Sequence, residues 1–485
     1  MEEANVILIT IDALRAGHLS CLGYPRHTTP NLDQLADEGA LFLQAISNGP
    51  HTRYSFPSIL TSTYAFMYDR AGIPLKLGGG PLSKHRTTIA EVLKGNGYST
   101  AAFNSNPLIS SHYSYDRGFD TFENFLGKPL RAEMELRIKK KRGIFPKDLV
   151  NFYKFIRKFI KYFQGKATDQ PNAYEINQRV ISWLRTYSQK KFFVWLHYLD
   201  VHFPYFPPLF MKSYSRSIST LEMFSLNDRV LADVRARAPS GLAENELRKI
   251  IGLYDDGVRN VDCAIGLLFD KLKKLGTWLG NTYIIVTADH GEEFADHGEV
   301  GHYMRACTRA HALYDELLHV PLIIAGPGIQ ERTVIKNQVG LLDLAPTILD
   351  LLGIEEIQEF QGKSSLPLVK GTETYEKRNV ISEGLRDERD GSIVKSYSYR
   401  TEKWKFILVV NGDKRRCELY DLEKDPEETD DLARKEAEKV GEFEARIMEH
   451  ISMERASVEK AERITPKPIP YTAEMKERLR ELGYL

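Results

Sequence analysis

The sequence predicts an α/β fold: one large, doubly wound, mostly parallel sheet flanked by helices, with a small C-terminal α+β domain after it. Three observations predict this. Short apolar runs without polar alternation, such as residues 6–11, read as strands buried on both faces. These runs alternate with helix-length segments, which is the pattern of parallel strands joined by crossovers. After about residue 372 the pattern shifts to short alternating strands and one charged helix.

The elements follow in order. Residues 6–11 end at Asp12, so that carboxylate leaves the first strand at its carboxyl end. Residues 29–39 open on the capping pair Thr29-Pro30 and stop at Gly39, which makes a short helix. Residues 60–66 lie in a helix entered from Pro57, and residues 89–97 form a helix with a strand at 99–103 behind it. Further strands are 191–199 (KFFVWLHYL), 282–287 (TYIIVT) and 320–325 (VPLIIA); residues 245–276 and 342–353 are helical. In the last part, 393–411 and 415–421 are strands and 432–456 is a helix; 464–485 is Pro-rich, then helical. The expected limits are a catalytic domain at 1–372, a small domain at 373–463 and a tail at 464–485. Ligands of such sheets bind outside the carboxyl ends of the strands. Asp12 and the pair Asp289-His290, far apart in sequence, are therefore placed to meet.

Bulk properties narrow the function classes. The 485 residues carry 66 basic and 66 acidic side chains, so no net charge steers the chain toward nucleic acid. Four cysteines stand far apart with no CxxC pair, which points away from a zinc knuckle or a disulfide framework and toward a reducing compartment. The apolar run after Met1-Glu2-Glu3 is too short for a signal segment, and no stretch reaches the roughly 18 apolar residues of a membrane helix. The expectation is a cytoplasmic protein. Residues 137–163 interleave Lys and Arg with Phe, Tyr and Ile; they read either as a peripheral membrane contact or as a helix packing its aromatic face on the body.

Three segments carry chemistry. Asp289-His290 follows an apolar strand and offers one hard oxygen and one imidazole nitrogen, a mixture that suits Zn or Mn. The dipeptide alone is equally a turn with a capping Asp. Asp12 alone reads as a helix N-cap; with Asp289 and His290 it reads as a third ligand. Residues 49–58 bring a hydroxyl to a helix start, where a cation and the helix dipole together would lower its pKa and make it a nucleophile.

These segments resemble the sulfatase-like branch of the alkaline-phosphatase superfamily. The resemblance runs through Ile9-Thr10-Ile11-Asp12-Ala13-Leu14-Arg15, Thr29-Pro30-Asn31-Leu32-Asp33, Tyr254-Asp255-Asp256-Gly257, Thr287-Ala288-Asp289-His290-Gly291-Glu292, Asp343-Leu344-Ala345-Pro346-Thr347 and Glu418-Leu419-Tyr420-Asp421. It implies an alkaline-phosphatase-like fold and an ester hydrolase. Departures matter as much. Sulfatases resemble Cys/Ser-x-Pro-Ser-Arg at the nucleophile, oxidised to formylglycine. Here Ser55-Phe56-Pro57-Ser58 mimics that motif locally, whereas Thr52 keeps the spacing to Leu60-Thr61-Ser62. Thr52 also resembles the nucleophile of phosphoethanolamine transferases, and the whole set is similar to phosphonate monoester hydrolases. Sulfatases pair two Asp after the first strand; the second is Ala13 here. The resemblance thus implies one divalent metal, Mn or Zn in preference to Ca or Mg, on Asp12, Thr52, Asp289 and His290.

His202, in the segment His197-Tyr198-Leu199-Asp200-Val201-His202-Phe203-Pro204-Tyr205 that resembles the family's His-x-Pro-Tyr, and His302 would lie beside the transferred group. They would bind its oxygens, protonate the leaving group or hold a second metal. His297 and His311 are weaker candidates. Arg15, Asn104 and Asn106 are candidate substrate-binding residues. The expected function is hydrolysis or transfer of phosphoric mono- or diesters through Thr52. The alternatives are a sulfatase without formylglycine and a non-catalytic binding protein on a degenerate scaffold. The expected substrate is a small-molecule, glycan-linked or lipid-linked anionic ester.

Overall fold

A computed structural model of the chain describes residues 4–67, 82–125, 171–236, 238–302, 313–372, 377–387, 393–461, 475–476 and 479–480. The basic aromatic segment 137–163, Cys307, His311 and all of the tail 464–485 except residues 475–476 and 479–480 lie outside the described residues.

The chain runs β1 (Asn5–Ile11), α1 (Pro30–Asp37), β2 (Ala40–Ile46), α2 (Thr52–Thr61), α3 (Ile89–Gly95), β3 (Ser99–Asn104), β4 (Thr121–Glu123), α4 (Ala173–Tyr187), β5 (Phe192–Tyr198), α5 (Thr220–Ala236), α6 (Glu244–Leu275) and β6 (Thr282–Ala288). It continues with a hairpin of β7 (Glu293–Phe294) and β8 (Val300–Gly301), then α7 (Asp315–Leu318), β9 (His319–Ala325), β10 (Thr333–Gly340), α8 (Leu344–Leu351) and α9 (Leu366–Val369). The last part holds β11 (Val380–Asp387), β12 (Ile393–Arg400), β13 (Trp404–Asn411), β14 (Lys414–Asp421) and α10 (Ala437–Ala461).

Among the described residues the large sheet has eight strands in the order β10-β2-β9-β6-β1-β5-β3-β4. Only β9 runs against its neighbours; the other pairs are parallel. Every residue of β1, β5 and β6 is buried, because helices cover both faces. The register sets Ile11 of β1 level with Ala288 of β6 and Tyr198 of β5, and Asn104 of β3 level with His197 of β5. The carboxyl ends of β6, β1, β5 and β3 therefore form one row.

The small sheet is antiparallel, in the order β11-β12-β13-β14. Its strands alternate faces at a period of two. Phe406 and Leu408 pack with Phe443, Ile447 and Ile451 of α10. Ile407 and Val409 pack with Ile46, Leu313, Tyr314 and Leu318 of the large unit. One sheet thus joins its own helix to the large domain.

One expected helix is corrected. Instead of entering at Pro57 and running through residue 66, α2 begins at Thr52, carries Pro57 inside, and stops at Ser62, which takes a left-handed conformation. Pro57 lacks only one donor, and the turn before it is closed by the Ser55 hydroxyl on the backbone oxygens of His51 and Thr52.

Candidate active site and metal centre

The site is built where strands end. After β1 the chain turns at Ala13, whose φ is +56°. The turn is pinned from two sides: Ala13 N donates to Asp289 Oδ1 at 3.3 Å, and Tyr254 of α6 donates to Ala13 O at 2.8 Å. After β6, Asp289 and His290 sit on a loop held by the Ser47 hydroxyl on Asp289 O at 2.6 Å and by Gly291 N on Leu317 O at 2.8 Å. Gly291 has no room for a side chain: a Cβ there would lie 2.1 Å from Glu316 O. Gly49 has the same constraint, its Cβ position falling 2.4 Å from the Tyr54 Cβ. That close approach brings Thr52 to the first position of α2.

Asp12, Thr52, Asp289 and His290 are all completely buried. Among the described residues, three of their atoms have no hydrogen-bond partner: Asp12 Oδ1, Asp289 Oδ2 and His290 Nε2. The orphans face one another, with His290 Nε2 at 3.6 Å from both carboxylate oxygens. Leaving a buried polar atom unpaired costs about 1–3 kcal/mol, and more for a charge. Three in one place are the mark of a ligand set. His290 Nδ1 donates to Gly291 O at 2.8 Å, which leaves the Nε2 lone pair free to coordinate. Two carboxylate oxygens and one imidazole nitrogen are a donor set that could hold a metal ion. Asp12 also groups with His290 and His302, and separately with His197 and Asp289, as sets whose donor atoms fall within 4.8 Å of one another.

The electrostatics say the same. Burial pushes the Asp289 carboxyl up, reinforced by the Asp12 charge, to about 6. Burial acts on Asp12 too, but the facing His202 and the hydrogen bond from His197 outweigh it and hold Asp12 well below the usual carboxylate range. The two carboxylates share one volume and cannot both ionise cheaply without a cation between them.

His197 opens the segment 197–205 quoted from the sequence but was assigned no role there. It bridges Asp12 Oδ2 at 3.1 Å and the Thr10 hydroxyl at 2.9 Å, and Trp195 donates to that hydroxyl at 3.0 Å. The available signal was a histidine within an apolar strand. Asn106 donates to Asp12 Oδ2 at 2.8 Å and lies 3.4 Å from the Thr52 hydroxyl, so it spans ligand and candidate nucleophile. Asn104 does not enter the site; its amide ties the 106–109 turn to the end of β3. Ser55 points its hydroxyl at backbone and away from the ligand set. Arg15 forks onto Asp296 at 2.8 and 3.1 Å. There it lines a polar cavity of about 480 Å³ with Glu316, His319, Arg400 and Glu427.

His202 and His302 lie together, their Nε2 atoms 3.1 Å apart. The surrounding bonds give one consistent proton arrangement. His202 Nδ1 bonds Phe203 O, so its Nε2 accepts from His302 Nε2–H. His302 Nδ1 must then accept, and its partner at 2.7 Å is Glu292 Oε1. Burial pushes Glu292 up to about 7 and His302 well below its ordinary range, which fits a neutral carboxyl donating to a neutral ring. Tyr205 donates to the other Glu292 oxygen at 2.9 Å. Glu292 and Tyr205 sit inside segments the sequence quoted but assigned no role. His297 faces away, between Glu316 and Glu428 O.

Comparison with known proteins places this geometry. The family profile described as Sulfatase matches residues 4–354, and that of the C-terminal part of N-sulphoglucosamine sulphohydrolase matches residues 298–456. Arylsulfatase K of Rattus norvegicus is 24% identical over 466 residues, covering 89% of this chain and 75% of its own. Among solved structures, the phosphonate monoester hydrolase of Agrobacterium radiobacter superposes with a TM-score of 0.66 at 20% identity, covering 94% of this chain and 96% of its own. BT4656 in complex with its substrate D-glucosamine-2-N,6-O-disulfate superposes with a TM-score of 0.67 at 20% identity, covering 94% and 99%.

Proposed function

The chain belongs to the sulfatase family, and on that premise we propose that it is a metal-dependent hydrolase or transferase that cleaves the P–O bond of a phosphoric ester with Thr52 as nucleophile. The observation that carries the reading is the position of Thr52. It opens α2, buried, and shares Asn106 with Asp12, whose own free oxygen faces Asp289 and His290. A threonine cannot be oxidised to the aldehyde that sulfatases use, so the sulfatase scaffold is kept here without formylglycine.

Asp12, Asp289, His290 and Thr52 would hold one divalent cation, Mn or Zn, which would lower the hydroxyl pKa and offset charge on the transferred group. The remaining work falls to this chain's side chains. Thr52 enters as alkoxide and attacks phosphorus in line; the Oγ–P bond forms as the bond to the leaving alcohol breaks. The α2 N-terminus favours the negative charge that gathers there. His302 Nε2–H gives its proton to the leaving oxygen as its Nδ1 takes the proton of Glu292, so the ring stays neutral. Water, or an acceptor alcohol, then attacks phosphorus and frees Thr52, and its proton returns through His302 to Glu292. Asn106 keeps Asp12 and Thr52 in register.

A second reading, hydrolysis of sulfuric esters, is favoured by the names of the relatives. Turnover of 4-nitrophenyl phosphate, bis(4-nitrophenyl) phosphate, 4-nitrophenyl phenylphosphonate and 4-nitrophenyl sulfate with Mn, Zn, Mg and Ca separates the two. The proposal expects phosphorus esters with Mn or Zn to dominate; a preference for the sulfate ester overturns it. Metal stoichiometry decides whether His202 and His302 hold a second ion: one equivalent keeps their mutual hydrogen bond, two replace it.

A further inference from the structure

The imidazole next to the nucleophile has no role in the scheme so far. His51 precedes Thr52, is nearly buried, and serves as N-cap of α2. Its Nδ1 accepts from Arg53 N at 3.3 Å. Its ring stacks on the metal-site His290, with centroids 6.0 Å apart and planes inclined by 14°, and lies 5.7 Å from the ring of His302. The His290 and His302 rings are themselves 4.3 Å apart. Three imidazoles therefore crowd one volume at the start of α2, the helix that Thr52 opens.

The cap fixes the tautomer. An Nδ1 that accepts a backbone N–H carries no proton, so the neutral ring holds its proton on Nε2, on the edge turned away from the helix backbone. Among the usual caps, Asp carries no donor, and the donors of Ser and Asn sit closer to the backbone than an imidazole Nε2. A histidine cap closes the helix with one nitrogen and holds a rigid N–H farther out on the other.

We propose that His51 is a catalytic hydrogen-bond donor whose Nε2–H binds an oxygen of the transferred group as charge develops on it. This rests on the assignment of Thr52 as nucleophile. A preorganised donor of this kind acts where charge grows in the transition state and needs no reorganisation at that moment. His290 and His302 are committed elsewhere, one to the ligand set and one to the leaving oxygen. The helix cap makes the His51 donor permanent, since the ring cannot flip without losing its bond to Arg53 N.

Two substitutions separate cap from donor. An Asn side-chain oxygen occupies the place of Nδ1 and keeps the cap; a Gln amide reaches the place of Nε2 and keeps a donor. His51→Asn is expected to lower kcat by about 10²-fold with KM, melting temperature and metal content close to wild type. Its affinity for orthovanadate, which mimics the five-coordinate phosphoryl group, should fall in parallel. His51→Gln is expected to keep most of the vanadate affinity while losing thermal stability. Retention of wild-type kcat and vanadate affinity in His51→Asn overturns the proposal, and so does an equal loss in both variants at equal stability. Orthovanadate binding to the Mn-loaded protein is read without turnover. A wild type that hydrolyses none of the esters therefore sinks the proposed function while the ratio of vanadate affinities still decides the role of His51.

Discussion

At the scale of single residues, what matters is which buried atoms lack partners. Asp12 Oδ1, Asp289 Oδ2 and His290 Nε2 are orphans that only a cation satisfies together. Protein in excess chelator should therefore melt at a lower temperature than protein with Mn or Zn. Saturating metal at 100 times Kd adds about 2.7 kcal/mol of stability. His290→Ala should abolish the metal-dependent shift; an undiminished shift would place the ion elsewhere. Thr52→Ala asks a different question. It should remove turnover by at least about 10³-fold while the melting temperature stays close to wild type and the cation, followed calorimetrically, still binds through Asp12, Asp289 and His290 with lower affinity. Substantial activity in that variant sinks the nucleophile assignment. The sequence made the carriers of unusual chemistry legible, because Asp12 and Asp289-His290 end apolar strands. It did not disclose the roles of His197, Glu292 and His51. His197 bonds Asp12, 185 residues away, and His51 lies against the rings of His290 and His302; neighbours brought together by the fold leave no local pattern. Glu292 is only 10 residues from His302, but burial sets its protonation and burial is not written in that spacing.

At the scale of elements, strands buried on both faces were readable as unbroken apolar runs, and β1, β3, β5, β6 and β9 stand where those runs lie. β2 was not read: its sequence ALFLQAI mixes strand and helix formers, and only pairing with β9 and β10 decides. β11 was missed for another reason. It buries Glu383, which hydropathy counts as exposed, against His450 at 2.6 Å and the Phe66 amide at 2.8 Å. The turn after β1 yields a prediction at this scale. Ala13 holds φ at +56°, a region that costs a residue with a Cβ roughly 1–2 kcal/mol and a β-branched residue more. Ala13→Val should thus destabilise by at least about 1 kcal/mol in urea unfolding and weaken metal affinity, since the same turn aims Asp12. Ala13→Gly should be neutral within about 1 kcal/mol, its relief of strain offset by unfolded-state entropy. Equal midpoints for Val and Gly would mean the turn relaxes freely.

At the scale of the whole molecule, the small domain is fastened to the catalytic one by buried charge as well as by the faces of its sheet. Lys405 of β13 is fully buried and bonds Asp315 of α7 at 2.7 Å and Glu428 at 2.9 Å, and Arg400 bonds Asp315 at 2.7 Å. His297, from the β7–β8 hairpin between His290 and His302, joins the same junction. It bonds Glu316 at 2.6 Å and Glu428 O at 3.0 Å, and stacks on Tyr314 with centroids 3.5 Å apart. The hairpin that carries His302 is thereby tied to the docked domain, which makes docking part of the site's geometry. Burial disfavours the His297 cation, but the hydrogen bond and charge of Glu316 prevail and push it up to about 9, from an ordinary value of 6.5. A group whose folded-state pKa is raised stabilises in full below its unfolded value and loses that contribution as pH climbs through the folded one. The His297 contribution should hold below pH 6.5 and fade between 6.5 and 9. Glu293, which burial pushes up to about 8, adds a slope of the same sign, so wild type alone does not isolate the histidine. His297→Phe keeps the stack on Tyr314 and removes the titration. The difference in urea midpoint between wild type and His297→Phe should be largest at pH 6 and shrink steadily to pH 9. A difference that is flat with pH would show that the ring holds the two domains by packing alone.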